Sequence, residues 1–150
     1  MRSPTPGVVR TRADRRIAAD PTSTALLLAG PGALELWPGL RHVGPVADRV
    51  LVEIDIAPRQ LSTAATVRVL PPRRTPTSFV TSFEWVGPSL PATTGELTLS
   101  YAPGPATHAE LVLDSVGVDG SALGPATLQA LAEGFLANLA RLAESRSRAA

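Results

Sequence analysis

Few side chains in this sequence could do chemistry. His42 and His108 stand far apart with no third donor beside either, a poor basis for a metal site, because zinc centres gather three or four ligands. The sequence has no cysteine, which excludes disulfides, thiolate ligands and a cysteine nucleophile. Serine and threonine are common, but no Ser-His-acid arrangement can be built from the order of the residues. Gly30-Pro31-Gly32 stops a helix instead of cradling a phosphate, since a phosphate loop leads from a strand into a helix N-terminus. What remains is a set of polar groups suited to orienting a ligand, Thr81, Tyr101 and the indole N–H of Trp85, and the imidazole of His42, whose side of the strand is left undetermined because Gly44-Pro45 interrupts it. No catalytic residue, metal ligand or cofactor is assigned.

The bulk composition narrows the class of partner. Hydrophobic residues make up 44% of the 150 and charged residues 18%, enough apolar material for one domain with a real core. The formal net charge is +1, which gives no case for a nucleic-acid partner. All 14 basic residues are arginine, which reads as a coding bias, although arginine does favour bidentate pairing with carboxylates. The opening MRSPTPGVVR lacks the apolar centre of a signal peptide. No apolar run approaches the ~20 residues that span a bilayer. A cytoplasmic location without an integral membrane segment is the expectation, and a homodimer is allowed.

The elements that must position these groups announce themselves by period. Residues 1–7 read as a loose lead-in. From Val8 to Ile17, Arg10, Arg12, Asp14 and Arg16 share one face and Val9, Thr11, Ala13 and Ile17 the other, as in a strand. Asp20-Pro21 reads as an N-cap with proline at the first helical position, opening a short helix to about Ala29. A second helical turn or two spans Ala33 to Trp37. Beyond it, alternation recurs. Val52 and Ile54, Val67 and Val69, Phe79, Thr81, Phe83 and Trp85, Leu97, Leu99 and Tyr101, and Leu111 and Leu113 form inward faces. Pro71-Pro72, Gly87-Pro88 and Pro103-Gly104-Pro105 punctuate the gaps, so the strands form an antiparallel meander with one buried face. The period then switches to that of a helix. Leu128, Leu131, Phe135, Leu139 and Leu142 fall within an arc of about 80°, and burying them outweighs the ~1 kcal/mol that Gly134 costs inside a helix. The domain is expected to run from residue 8 to 145, with 146–150 a frayed tail.

One strand, two short helices, about six to seven strands in all and a long amphipathic helix predict an α+β fold, in which the sheet must cover its apolar face with that last helix. This order resembles the START/polyketide-cyclase (SRPBCC) superfamily, whose helix-grip fold wraps a curved antiparallel sheet around the C-terminal helix. The similar stretches are Ile17-Ala18-Ala19-Asp20-Pro21 with the short helix after it, Leu36-Trp37-Pro38-Gly39-Leu40 leading into a strand, and Gly124-Pro125 followed by Leu128, Leu131, Phe135 and Leu139. The resemblance implies that the first and last strands are neighbours. Arg10, Arg12 and Arg16 would then face Glu110 and Asp114 as cross-strand opposite charges.

It also implies a cavity between sheet and terminal helix for a hydrophobic small molecule, such as a lipid, an isoprenoid or a polyketide-like compound. The expected ligand-binding residues are Trp37, Phe79, Thr81, Phe83, Trp85, Leu97, Leu99, Tyr101, Leu111, Leu131 and Phe135. Trp37 would plug the mouth or line it, with plugging the expectation, and His108 would point to solvent. Two alternatives remain open. A polyketide aromatase/cyclase or dehydratase, as some relatives are, would need Tyr101, Thr81 or His42 to converge on one point of the cavity. A protein-interaction module would need a collapsed core and an exposed apolar patch.

Overall fold

The computed structural model describes residues 8–29, 31–56, 61–87, 90–116 and 125–149; the expected lead-in over 1–7 and Gly124 lie outside them. Strand β1 (Val8–Ile17) is followed by helix α1 (Pro21–Leu28) and a 3₁₀ turn (Pro31–Leu36). Then come β2 (Leu40–Val46), β3 (Arg49–Ile56), β4 (Leu61–Val69), a two-residue β5 (Arg73–Arg74), β6 (Ser78–Gly87), β7 (Leu90–Ala102), β8 (Ala106–Val116) and helix α2 (Pro125–Ala149). All pairing is antiparallel. The sheet order is β1-β8-β7-β6-β4-β3-β2, with β5 attached to β6. The α+β helix-grip fold is therefore the fold of this chain. The helix α2 continues through Ala149, past the point where the polar tail was expected to fray.

Local chemistry explains where the elements start. Asp20 caps α1, accepting from Ser23 N–H at 3.0 Å and from the Ser23 hydroxyl at 2.7 Å. These bonds favour the carboxylate and hold its pKa below the usual range. Proline follows at the first helical position, where its missing N–H costs nothing. The buried Thr107 hydroxyl donates to Ala19 O at 2.7 Å, tying the segment after β1 to β8.

The register places Arg10 opposite Asp114, and the two form a forked pair at 2.8 and 3.1 Å. The guanidinium holds the Asp114 carboxyl below its ordinary pKa. The other expected pairs do not form. Arg12 lies opposite Val112 and Arg16 opposite His108, so Glu110 faces Asp14, a like charge. His108 reaches Asp14 at 3.2 Å on the exposed face. Arg16 instead donates to Pro103 O at 3.3 Å.

The helix α2 buries the stripe Leu128, Leu131, Phe135 and Leu139, widened by Ala132, Leu136, Ala140 and Ala143. It lies chiefly along β1 and also touches β8, α1 and the 3₁₀ turn. Two contacts pin it to the turn: Asn138 donates to Leu36 O at 2.8 Å, and the Pro38 ring lies directly over Gly134. A Cβ at 134 would fall inside the van der Waals envelope of Pro38 Cγ. Gly134→Ala is thus expected to destabilise the protein by about 1–3 kcal/mol, although helix propensity alone favours alanine by ~1 kcal/mol. Urea denaturation gives the sign, and a stabilised variant would contradict this packing.

Candidate functional site

The helix α2 covers the β1–β8 side of the sheet, while α1 packs against β6, β7 and β8 and the 3₁₀ turn against β2, which leaves space between these short elements and the inner faces of β3, β4 and β6. A half-open cavity of about 270 Å³ remains there. It is lined by Leu28 and Ala29 at the end of α1, Ala33 and Leu34 of the 3₁₀ turn, and Trp37 just after it. The sheet contributes His42 from β2, Val50 from β3, Val67 and Val69 from β4, Thr81, Phe83 and Trp85 from β6, and Leu97 from β7. Phe135 is the sole contribution of α2 among the described residues. The cavity thus sits at the short-helix end of the sheet, and only one residue of the terminal helix borders it.

The floor is aromatic. Trp37 is 4% exposed and stands at the centre of the cluster. Its ring centroid lies 4.4 Å from Phe135, 4.5 Å from Trp85 and 5.4 Å from Phe83. Trp37 therefore walls the cavity from within, contrary to the expectation that it plugs the mouth. The Phe83 ring reaches over Gly95, its partner across the β6–β7 ladder, in space that any side chain at 95 would occupy. The mouth is aliphatic and polar. Val69 is 49% exposed and His42 is exposed, while Val50, Leu28 and Ala33 are half-buried. Strand alternation from buried Leu40 brings His42 to the inner face opposite Val52, just before the irregularity between His42 and Gly44.

Of the residues expected to bind a ligand, the structure brings Trp37, Thr81, Phe83, Trp85, Leu97 and Phe135 to one cavity. Leu99, Leu111 and Leu131 are buried in the solid core beyond it, and Phe79 lies near the far end of β6 under the Arg74 guanidinium. Tyr101 is 60% exposed near the β7–β8 turn: its β8 partner Thr107 is buried, but β6 begins at Ser78, opposite Ser100, so no β6 residue flanks Tyr101 on its other side. It does not line the cavity, so the three groups do not all converge, although Thr81 and His42 both border it. The expected ligand-binding set omitted Leu28, Ala29, Ala33, Leu34, His42, Val50, Val67 and Val69. Val50, Val67 and Val69 do fall on the inward faces of their strands, whereas Leu28, Ala29, Ala33 and Leu34 line the cavity only through the overhang of the short helices, which no local pattern records. Among the described lining residues His42 is the only titratable group.

No protein-family model and no curated protein matches the sequence. Solved structures do match its backbone, and they define the class: this is the START-type helix-grip fold. A START superfamily protein from Mycobacterium smegmatis is 15% identical, with 91% of this chain and 95% of that one covered at a TM-score of 0.62. The Zhui aromatase/cyclase from a Streptomyces species is 18% identical, with 95% and 98% covered at a TM-score of 0.66. A protein from Thermus thermophilus is 15% identical, with 93% and 99% covered at a TM-score of 0.68. At such identities the likeness is one of fold. Among the described residues no helix is long and apolar enough to cross a membrane.

Proposed function

We propose that this protein binds a small apolar molecule in the cavity between the short helices and the sheet, as a carrier or sensor. One observation carries the reading. The fold leaves about 270 Å³ unfilled above an aromatic floor and opens it to solvent at an aliphatic rim. Unfilled apolar volume is destabilising, so a cavity of this size is worth retaining when something occupies it. The volume exceeds the ~150 Å³ that holds benzene in an engineered core and falls just under the ~300–1,000 Å³ of drug-sized sites. The occupant is accordingly a compact lipid, isoprenoid or polyketide-like compound, or one end of a longer one, whose remainder leaves past His42 and Val69. Of the three groups that the aromatase/cyclase reading called on, Thr81 and His42 border the cavity and Tyr101 stands outside it. The interaction-module reading required a collapsed core.

Native mass spectrometry of gently purified protein, with organic extraction of its contents, tests the proposal. A stoichiometric apolar mass is expected. An empty protein, whose melting temperature no member of a panel of hydrophobic compounds raises, overturns it. Val69→Trp checks the location. Because Val69 is half exposed at the mouth, a tryptophan there fits a strand and fills the opening at little cost to the fold. Affinity for any compound that the wild type binds is expected to fall at least about tenfold with stability unchanged, since apolar ligands are held by their buried area. Undiminished binding would place the ligand elsewhere.

A further inference from the structure

The indole N–H of Trp85 is a buried donor that the described protein does not satisfy. Trp85 is 1% exposed, and its Nε1 is sealed from solvent without an acceptor among the described residues. Buried donors are almost always paired, because an unpaired one forfeits its hydration without return. Trp85 is also part of the cavity wall. Its ring neighbours are Trp37, nearly perpendicular at 79°, and Phe83 at 5.9 Å; across the ladders from it lie Val67 on one side and the buried Thr93 on the other. Of these only Thr93 carries a side-chain oxygen, and its hydroxyl is engaged with that of Ser115 at 3.0 Å.

We propose that the ligand presents a proton-free oxygen acceptor, the carbonyl of a ketone, ester or aldehyde on an apolar body, to Trp85 Nε1. The inference rests on the cavity-binding reading and adds the chemistry of the buried end. An alcohol oxygen could accept the same bond, but it would also need an acceptor for its own proton, which a carbonyl does not. The nitrogen is closed off in the unliganded protein, so the carbonyl reaches it only as the side chains around it shift.

The test uses two compounds of one shape, 2-acetylnaphthalene, which carries the acceptor, and 2-ethylnaphthalene, which does not. Their affinities are measured for the wild type and for Trp85→Phe. Comparing the ketone-to-hydrocarbon affinity ratio between the two proteins cancels the cost of drying the ketone. That ratio is expected to fall about fivefold to tenfold in Trp85→Phe, the contribution of one hydrogen bond. A second readout needs only wild-type protein. The chain has two tryptophans, hence two indole N–H signals in a ¹⁵N–¹H spectrum. The ketone is expected to move the Trp85 signal downfield while the hydrocarbon does not, which decides the matter even if Trp85→Phe fails to fold. An unchanged ratio, or the same Trp85 shift with both compounds, overturns the acceptor and leaves the cavity reading intact. If neither compound nor any member of the hydrophobic panel binds the wild type, the cavity reading fails and the acceptor with it.

Discussion

Trp37→Ala is expected to destabilise the protein by about 3–5 kcal/mol, the range for removing a large aromatic side chain from a core. Trp37 is where three parts of the fold meet. It follows the 3₁₀ turn, packs on Phe83 and Trp85 of β6, and packs on Phe135 of α2. Domains of this size have total stabilities of ~5–15 kcal/mol, so the variant is expected to be marginal at room temperature, as chemical denaturation would show. The void it leaves joins the ligand cavity. A bulky apolar compound should therefore raise the melting temperature of Trp37→Ala more than that of the wild type. A loss below about 1 kcal/mol would mean that Trp37 is only a plug at the mouth, since a solvent-facing ring has little burial to lose.

Gly95→Ala is expected to destabilise the fold by about 1–3 kcal/mol and to weaken ligand binding together with it. Intrinsic preference points the other way, because glycine inside a strand costs about 0.5–1 kcal/mol relative to alanine. The opposing term is steric. A Cβ at Gly95 would overlap the Phe83 ring and lie 2.9 Å from Leu113 Cδ2. Phe83 cannot swing away freely, since Trp37 and Trp85 hold it. The ring must tilt toward the cavity it lines, removing volume from the ligand. Parallel loss of stability and of affinity for an apolar probe is the expected result. A more stable variant with unchanged affinity would show that the ring does not occupy the space over residue 95.

The strands and α2 were legible from sequence because each buries one face, and burial of one face writes its period into the chain, alternate residues in a strand and every third or fourth in a helix. Thr11, Ala13 and Ile17, or Leu128, Leu131, Phe135 and Leu139, identify their elements and their inner faces in this way. Capping is equally local, which is why Asp20-Pro21 marks the start of α1. Part of the candidate site was legible for the same reason: Thr81, Phe83, Trp85 and Leu97 are inward positions of adjoining strands.

Only the tertiary structure decided the rest. Which inward side chains border a void and which fill solid core depends on where α2 ends and the short helices begin to roof the sheet. Leu99, Leu111 and Leu131 thus share a face with cavity residues without lining it, and Tyr101 lies beyond the start of β6. Register decided the charges, matching Arg10 with Asp114 but setting Asp14 against Glu110. Close approach decided the glycines at 95 and 134, the second of which reads in sequence as a cost inside a helix. Each such contact joins residues far apart along the chain, and a one-dimensional pattern carries the side of an element that is buried but not what is buried against it.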